Sequence, residues 1–85
     1  MKTFKDLAKK LVSKESGYSY VYVINNTRFE ICEFNGCKGW CLNEYRISND
    51  EYVGGYGYEG LLLRDCKEMI LSQWNETNGY TQGIK

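Results

Sequence analysis

"YSYVYVINNTRFEICEF", residues 18–34, decides the fold of this 85-residue chain. On either side of "NNT" (25–27) the side chains alternate with a period of two, the pattern of two half-buried strands joined by a turn. Strands are expected at 18–24 and 28–34. Their register depends on the length of the turn. A three-residue loop pairs Val23 with Phe29 and Val21 with Ile31, whereas a two-residue loop sets tyrosines opposite those two residues. The three-residue loop gathers aliphatic groups on one face and is the expected one.

Working outward, Asn35-Gly36 is a strong hairpin signal, because a type I′ turn needs positive φ at both central residues. It predicts a third strand over "CKGWCLNEYRI" (37–47), with Phe34 opposite Cys37, Glu33 opposite Lys38, Ile31 opposite Trp40 and Phe29 opposite Leu42. The expected core face carries Val21, Val23, Phe29, Ile31, Trp40 and Leu42. The other face carries Tyr20, Tyr22, Glu30, Cys32, Cys41 and Asn43. A slip of one residue would reverse every one of these assignments.

Before the hairpin lies a helix signal. Thr3 and Asp6 have capping-box spacing, and Phe4, Leu7, Ala8, Leu11 and Val12 form one apolar stripe with Gly17 as the stop. After the third strand come a loop, "SND" (48–50), and a weak fourth strand over Glu51–Tyr58, weak because glycine packs nothing. A second helix over 60–76 presents Leu63, Cys66, Ile70 and Trp74, with Leu62 and Met69 beside them. Asn78-Gly79 ends it, and 80–85 is expected to be a loose tail. The expected fold is α+β: a single domain over 1–85, with a small antiparallel three- to four-stranded sheet between an N-terminal and a C-terminal helix, in the order α-β-β-β-(β)-α.

Composition bounds the function. The chain is 42% hydrophobic and 15% aromatic, which excludes a disordered segment. Net charge is zero, with 11 basic and 11 acidic residues, so general attraction to nucleic acid or membrane is not expected. The charge is nonetheless sorted: Lys2, Lys5, Lys9, Lys10 and Lys14 face only Asp6 and Glu15 in residues 1–16. No signal core or membrane span is recognised, and a cytoplasmic location in the host cell is expected.

Chemistry is sparse. There is no histidine, which removes the commonest general base, and the glycines of "GGYGYEG" match no phosphate loop. The chain is read as a non-enzyme without a cofactor. Cys32, Cys37, Cys41 and Cys66 are read as isolated thiols, with a Cys₄ zinc site as the alternative; their spacing lacks the paired C-x2-C knuckle. Diagonal neighbours across a hairpin lie roughly 7 Å apart, too far for an unstrained disulfide.

The conspicuous feature is eight tyrosines, three of them in "EYVGGYGYEG" (51–60). Tyrosine among Gly, Ser and Asn is the composition of recognition surfaces, since it offers contact area with few rotors to freeze. The candidate partner-binding residues are Tyr20, Tyr22, Glu44, Tyr45, Asp50, Glu51, Tyr52, Tyr56, Tyr58 and Glu59, a Tyr-plus-carboxylate set suited to a basic partner. An exposed fourth strand would equally suit a homodimer. A second reading is single-stranded nucleic-acid binding, with Tyr20 and Tyr22 as stacking platforms and the helix-one lysines on phosphates.

A lysine-rich opening helix, a strand meander and "YEGLLLRDCKEMILSQW" as closing helix in a chain this short resemble, in pattern, the small accessory proteins of bacteriophages and mobile elements, including the anti-CRISPR inhibitors. The resemblance implies stoichiometric binding to a host or defence protein, blocking its nucleic-acid or nuclease site.

Overall fold

The computed structural model describes residues 1–15, 19–33 and 39–76. The elements are α1 (Phe4–Ala8), β1 (Leu11–Glu15), β2 (Ser19–Ile24), β3 (Thr27–Glu33), β4 (Gly39–Arg46), β5 (Glu51–Glu59) and α2 (Leu63–Glu76). The five strands form one antiparallel sheet in the order β1-β2-β3-β4-β5, so the fold is the expected small α+β domain with one strand more. The expected loose tail 80–85 and the stops at Gly17 and Asn78-Gly79 lie outside the described residues.

The extra strand comes from the expected first helix. Its N-terminus is as expected: Thr3 accepts from the Asp6 N–H and Asp6 accepts from the Thr3 N–H, a capping box. The helix stops at Ala8 instead of running to Gly17. Lys9 caps it, the Lys10 carbonyl accepts from the Val23 N–H at 3.1 Å, and Leu11–Glu15 pairs with β2. Pairing satisfies the outer backbone groups of β2, which a longer helix would leave bare. Leu11 still packs on the core, while Val12 is exposed.

The β2–β3 register also differs from expectation. Ile24 pairs with Thr27, Tyr22 with Phe29 and Tyr20 with Ile31, so the loop is Asn25-Asn26 alone. Asn25 takes φ 56°, a left-handed conformation that Asn tolerates. This one-residue difference exchanges the faces: Tyr22, 3% exposed, enters the core with Ile24, Phe29, Ile31 and Leu42, while Val21 and Val23 face the other way. Tyr20 packs beside the core with its ring 5.9 Å from that of Trp40. Tyr22 is thus closed off as a stacking platform, and Tyr20 is partly covered by Trp40.

Between β3 and β4, Ile31 pairs with Leu42 and Phe29 with Glu44, two residues from the expected pairs. A shift of two keeps every side chain on its face. The Asn35-Gly36 turn itself lies outside the described residues.

α2 covers one face of the sheet. Asp65 accepts from the Leu62 N–H at 3.3 Å at its start, and Cys66, Ile70, Leu71 and Trp74 are buried beneath it. Lys2 ties α1 to it, through Asn75 Oδ1 at 2.6 Å and a cation–π contact with Trp74 at 5.1 Å. The opposite face, with Val21, Val23, Arg28, Glu30, Cys32, Cys41, Asn43 and Tyr45, has no helix against it among the described residues.

Candidate partner-binding edge

Among the described residues β5 is an edge strand of nine residues, hydrogen-bonded only to β4. The backbone pattern shows which of its groups face outward. The Ile47 N–H donates to the Asn26 carbonyl at 2.9 Å, so the hydrogen-bonded pairs of β3 and β4 fall at Arg28–Tyr45, Glu30–Asn43 and Cys32–Cys41. Leu42 and Glu44 then bond towards β5, to Tyr56 and Gly54. Gly55 and Gly57 therefore direct their N–H and C=O groups outward, away from β4.

The side chains of β5 divide between the faces. Tyr56 and Tyr58 lie on the α2 side, 55% and 46% exposed, with rings 5.6 Å apart in a T-shaped pair. The neighbouring Tyr56 hydroxyl is the main cause pushing the Tyr58 phenol up, with lesser help from Asp65. Tyr52 lies on the uncovered face, where its ring meets that of Tyr45 at 5.5 Å. A register shift between Glu44 and Tyr45 leaves Val53 bulged and exposed.

Around Tyr45 the charges are organised. The Arg28 guanidinium lies 4.5 Å from its ring centroid, 2.8 Å from Glu30 and 3.3 Å from Asp50. The Glu30 hydrogen bond is the largest cause raising the Arg28 pKa. Arg46 pairs with Glu51 at 3.1 Å. With Glu59, the edge and its flank set four carboxylates against two guanidiniums.

No family model, curated protein or solved structure matches this chain.

Of the ten candidate residues, Tyr45, Asp50, Glu51, Tyr52, Tyr56, Tyr58 and Glu59 cluster on β5 and its flanks. Tyr22 is core, Tyr20 packs beside it, and Glu44 accepts from Gln73 of α2 at 3.0 Å. The sequence reading missed Arg28, which orders the cluster, and the exposed Ile47, Val53 and Leu62. Arg28 was within reach, since alternation places it opposite Phe29 and Ile31.

Two of the described thiols, Cys66 and Cys32, are poorly activated. Burial, then Cys41 and Asp65, push Cys66 up to about 11. Burial, then Cys41 and Glu30, push Cys32 up. At neutral pH both are held as thiols, which are weak nucleophiles. Cys37 lies outside the described residues.

Proposed function

We propose that this chain is a small non-enzymatic protein-binding module that acts stoichiometrically, with β5 and its flanks as the contact. One observation carries the reading. Among the described residues, six of the nine exposed large apolar side chains lie between Ile47 and Leu62: Ile47, Tyr52, Val53, Tyr56, Tyr58 and Leu62. Concentration of exposed apolar groups on one region marks interaction surfaces, and tyrosine is among the residues that dominate binding energy. The open edge at Gly55 and Gly57 adds main-chain donors and acceptors for an incoming strand.

The acidic excess suits a basic partner surface, such as the nucleic-acid site of a host or defence protein. Occupying such a site would inhibit the partner, in the manner of phage-encoded inhibitors of CRISPR-Cas-like systems.

The test is a pull-down from bacterial lysate with the wild type and Tyr56→Ala/Tyr58→Ala, followed by titration of the purified captured protein. Both tyrosines are about half exposed, so the double variant is expected to keep the wild-type circular dichroism spectrum. Losing two contact tyrosines is expected to weaken binding at least tenfold, from about 1–2 kcal/mol at each hot spot. Equal retention by a folded variant would refute the assignment. If nothing is captured and the wild type sediments as a dimer that the variant loses, the edge serves a second copy instead.

A further inference from the structure

Cys32 and Cys41 are directly opposite each other on β3 and β4, on the sheet face that no described helix covers. Both are free and partly exposed. Their row across the sheet runs Ser19, Cys32, Cys41, Gly57, so small residues flank the two thiols. Gly57 is required there: a Cβ at that position would stand 2.4 Å from Cys41 Cβ. No bulky side chain in that row stands over either sulfur. The diagonal arrangement expected from the sequence, which argued against a bond, is replaced by direct opposition.

We propose that Cys32 and Cys41 are a reversible dithiol–disulfide site, oxidised by small-molecule disulfides such as glutathione disulfide. One thiolate attacks a glutathione sulfur, forming a mixed disulfide and releasing one glutathione thiolate. The second thiolate then attacks the protein sulfur of that mixed disulfide and releases the second glutathione. Overall, two protein thiols are oxidised to one disulfide and one glutathione disulfide is reduced to two glutathiones, with protons balanced by solvent.

The geometry also sets how stable the bond is. At a hydrogen-bonded antiparallel pair the Cα atoms lie about 5.5 Å apart, inside the range disulfides span. The Cβ atoms of such a pair stand up to about 5.5 Å apart, while a disulfide wants about 3.5–4.5 Å. Closing the bond therefore draws β3 towards β4 by roughly 1 Å and strains it. Strained, exposed disulfides are the readily reduced ones. The site cycles instead of locking.

The test uses the full chain carrying Cys37→Ser, because trypsin then cuts after Arg28, Lys38 and Arg46 and leaves one cysteine in each peptide. The protein is incubated with glutathione disulfide at about pH 8.5, where free thiols ionise appreciably, and mapped by mass spectrometry. The expected product links peptides 29–38 and 39–46, is lighter than the reduced protein by two hydrogens, and forms at a rate independent of protein concentration. Excess reduced glutathione should return it to the dithiol, and Cys32→Ser in the same background should abolish the linkage while leaving the circular dichroism spectrum unchanged. Glutathione adducts that never resolve to the internal bond would overturn the proposal. So would a bond to Cys66, or one that reduced glutathione cannot reopen.

Discussion

Three glycines of β5 stand within four residues of each other and meet different surroundings, which makes them a controlled experiment on the sheet. A Cβ at Gly54 meets nothing within 4 Å. At Gly55 it would come within 2.4 Å of Asn43 Oδ1 and 2.5 Å of the Tyr52 hydroxyl, both ends of side chains that can swing aside. At Gly57 it would lie 2.4 Å from Cys41 Cβ, 2.8 Å from Cys41 Cα and 3.1 Å from the Trp40 carbonyl, which move only with the strand. None of the three has a positive φ, so conformation is not the obstacle. Gly54→Ala should therefore stabilise the protein by about 0.4–1 kcal/mol, through lost freedom in the unfolded chain. Gly57→Ala gains the same amount but pays about 1–3 kcal/mol for overpacking, a net loss of roughly 1–2 kcal/mol. At about 4–8 °C per kcal/mol for a domain of this size, Tm should rise by about 2–8 °C in the first and fall by about 4–16 °C in the second, with Gly55→Ala between them. The measurement is thermal unfolding followed by circular dichroism, under reducing conditions and at one protein concentration. A Gly57→Ala protein melting as high as Gly54→Ala would refute the β4–β5 register on which the binding edge rests.

Three further outcomes are expected. Tyr22→Ala should cost about 3–5 kcal/mol, as for a large buried ring, while Tyr22→Phe stays within about 1 kcal/mol; chemical denaturation distinguishes a core residue from a surface one. Burial raises Cys66 from 9.0 to about 11, so its contribution is present below pH 9.0 and is lost as the pH rises through about 11. Stability should fall by on the order of 2 kcal/mol more across that window in the wild type than in Cys66→Ala, read from paired denaturation curves. Asp6 is lowered from 3.8, chiefly by its hydrogen bond from the Thr3 backbone, so the capping box persists above that pH and is lost as the pH falls through the lower folded value. Protection factors of the α1 amides, taken against intrinsic exchange rates at each pH, should fall in acid, and Asp6→Asn should lose that pH response.

Much of this architecture was legible in the chain. The alternation of "RFEICE" placed Phe29 and Ile31 on one face and Glu30 and Cys32 on the other, and the structure agrees. Thr3 and Asp6 marked the helix start correctly. Its end was not readable, because Leu11 satisfies a helical stripe and a short strand equally, and only pairing with β2 decides between them. The first turn misled for a different reason. Gathering the aliphatic residues favours the valines as core, yet Ile24 alternates with Tyr22 and Tyr20, and a tyrosine ring can be buried while its hydroxyl reaches the surface. The candidate site followed from that choice: the tyrosines near Gly54–Gly57 kept their place at the edge, and the two from β2 left it. Arg28 went unnoticed because its partners Asp50 and Tyr45 are distant in sequence.

The two borders of the sheet are unlike. β1 is short, and its exposed Ser13, Lys14 and Glu15 follow the recipe by which proteins discourage strand addition. β5 is long, glycine-rich and flanked by rings. With one such border among the described residues, growth by strand addition would terminate after one step. A second copy joining through β5 uses up the same border on both molecules and closes a two-fold pair, and a foreign strand joining there caps the sheet. If β5 is the contact proposed above, this polarity limits assembly to finite complexes and makes a partner and a second copy rivals for one seat.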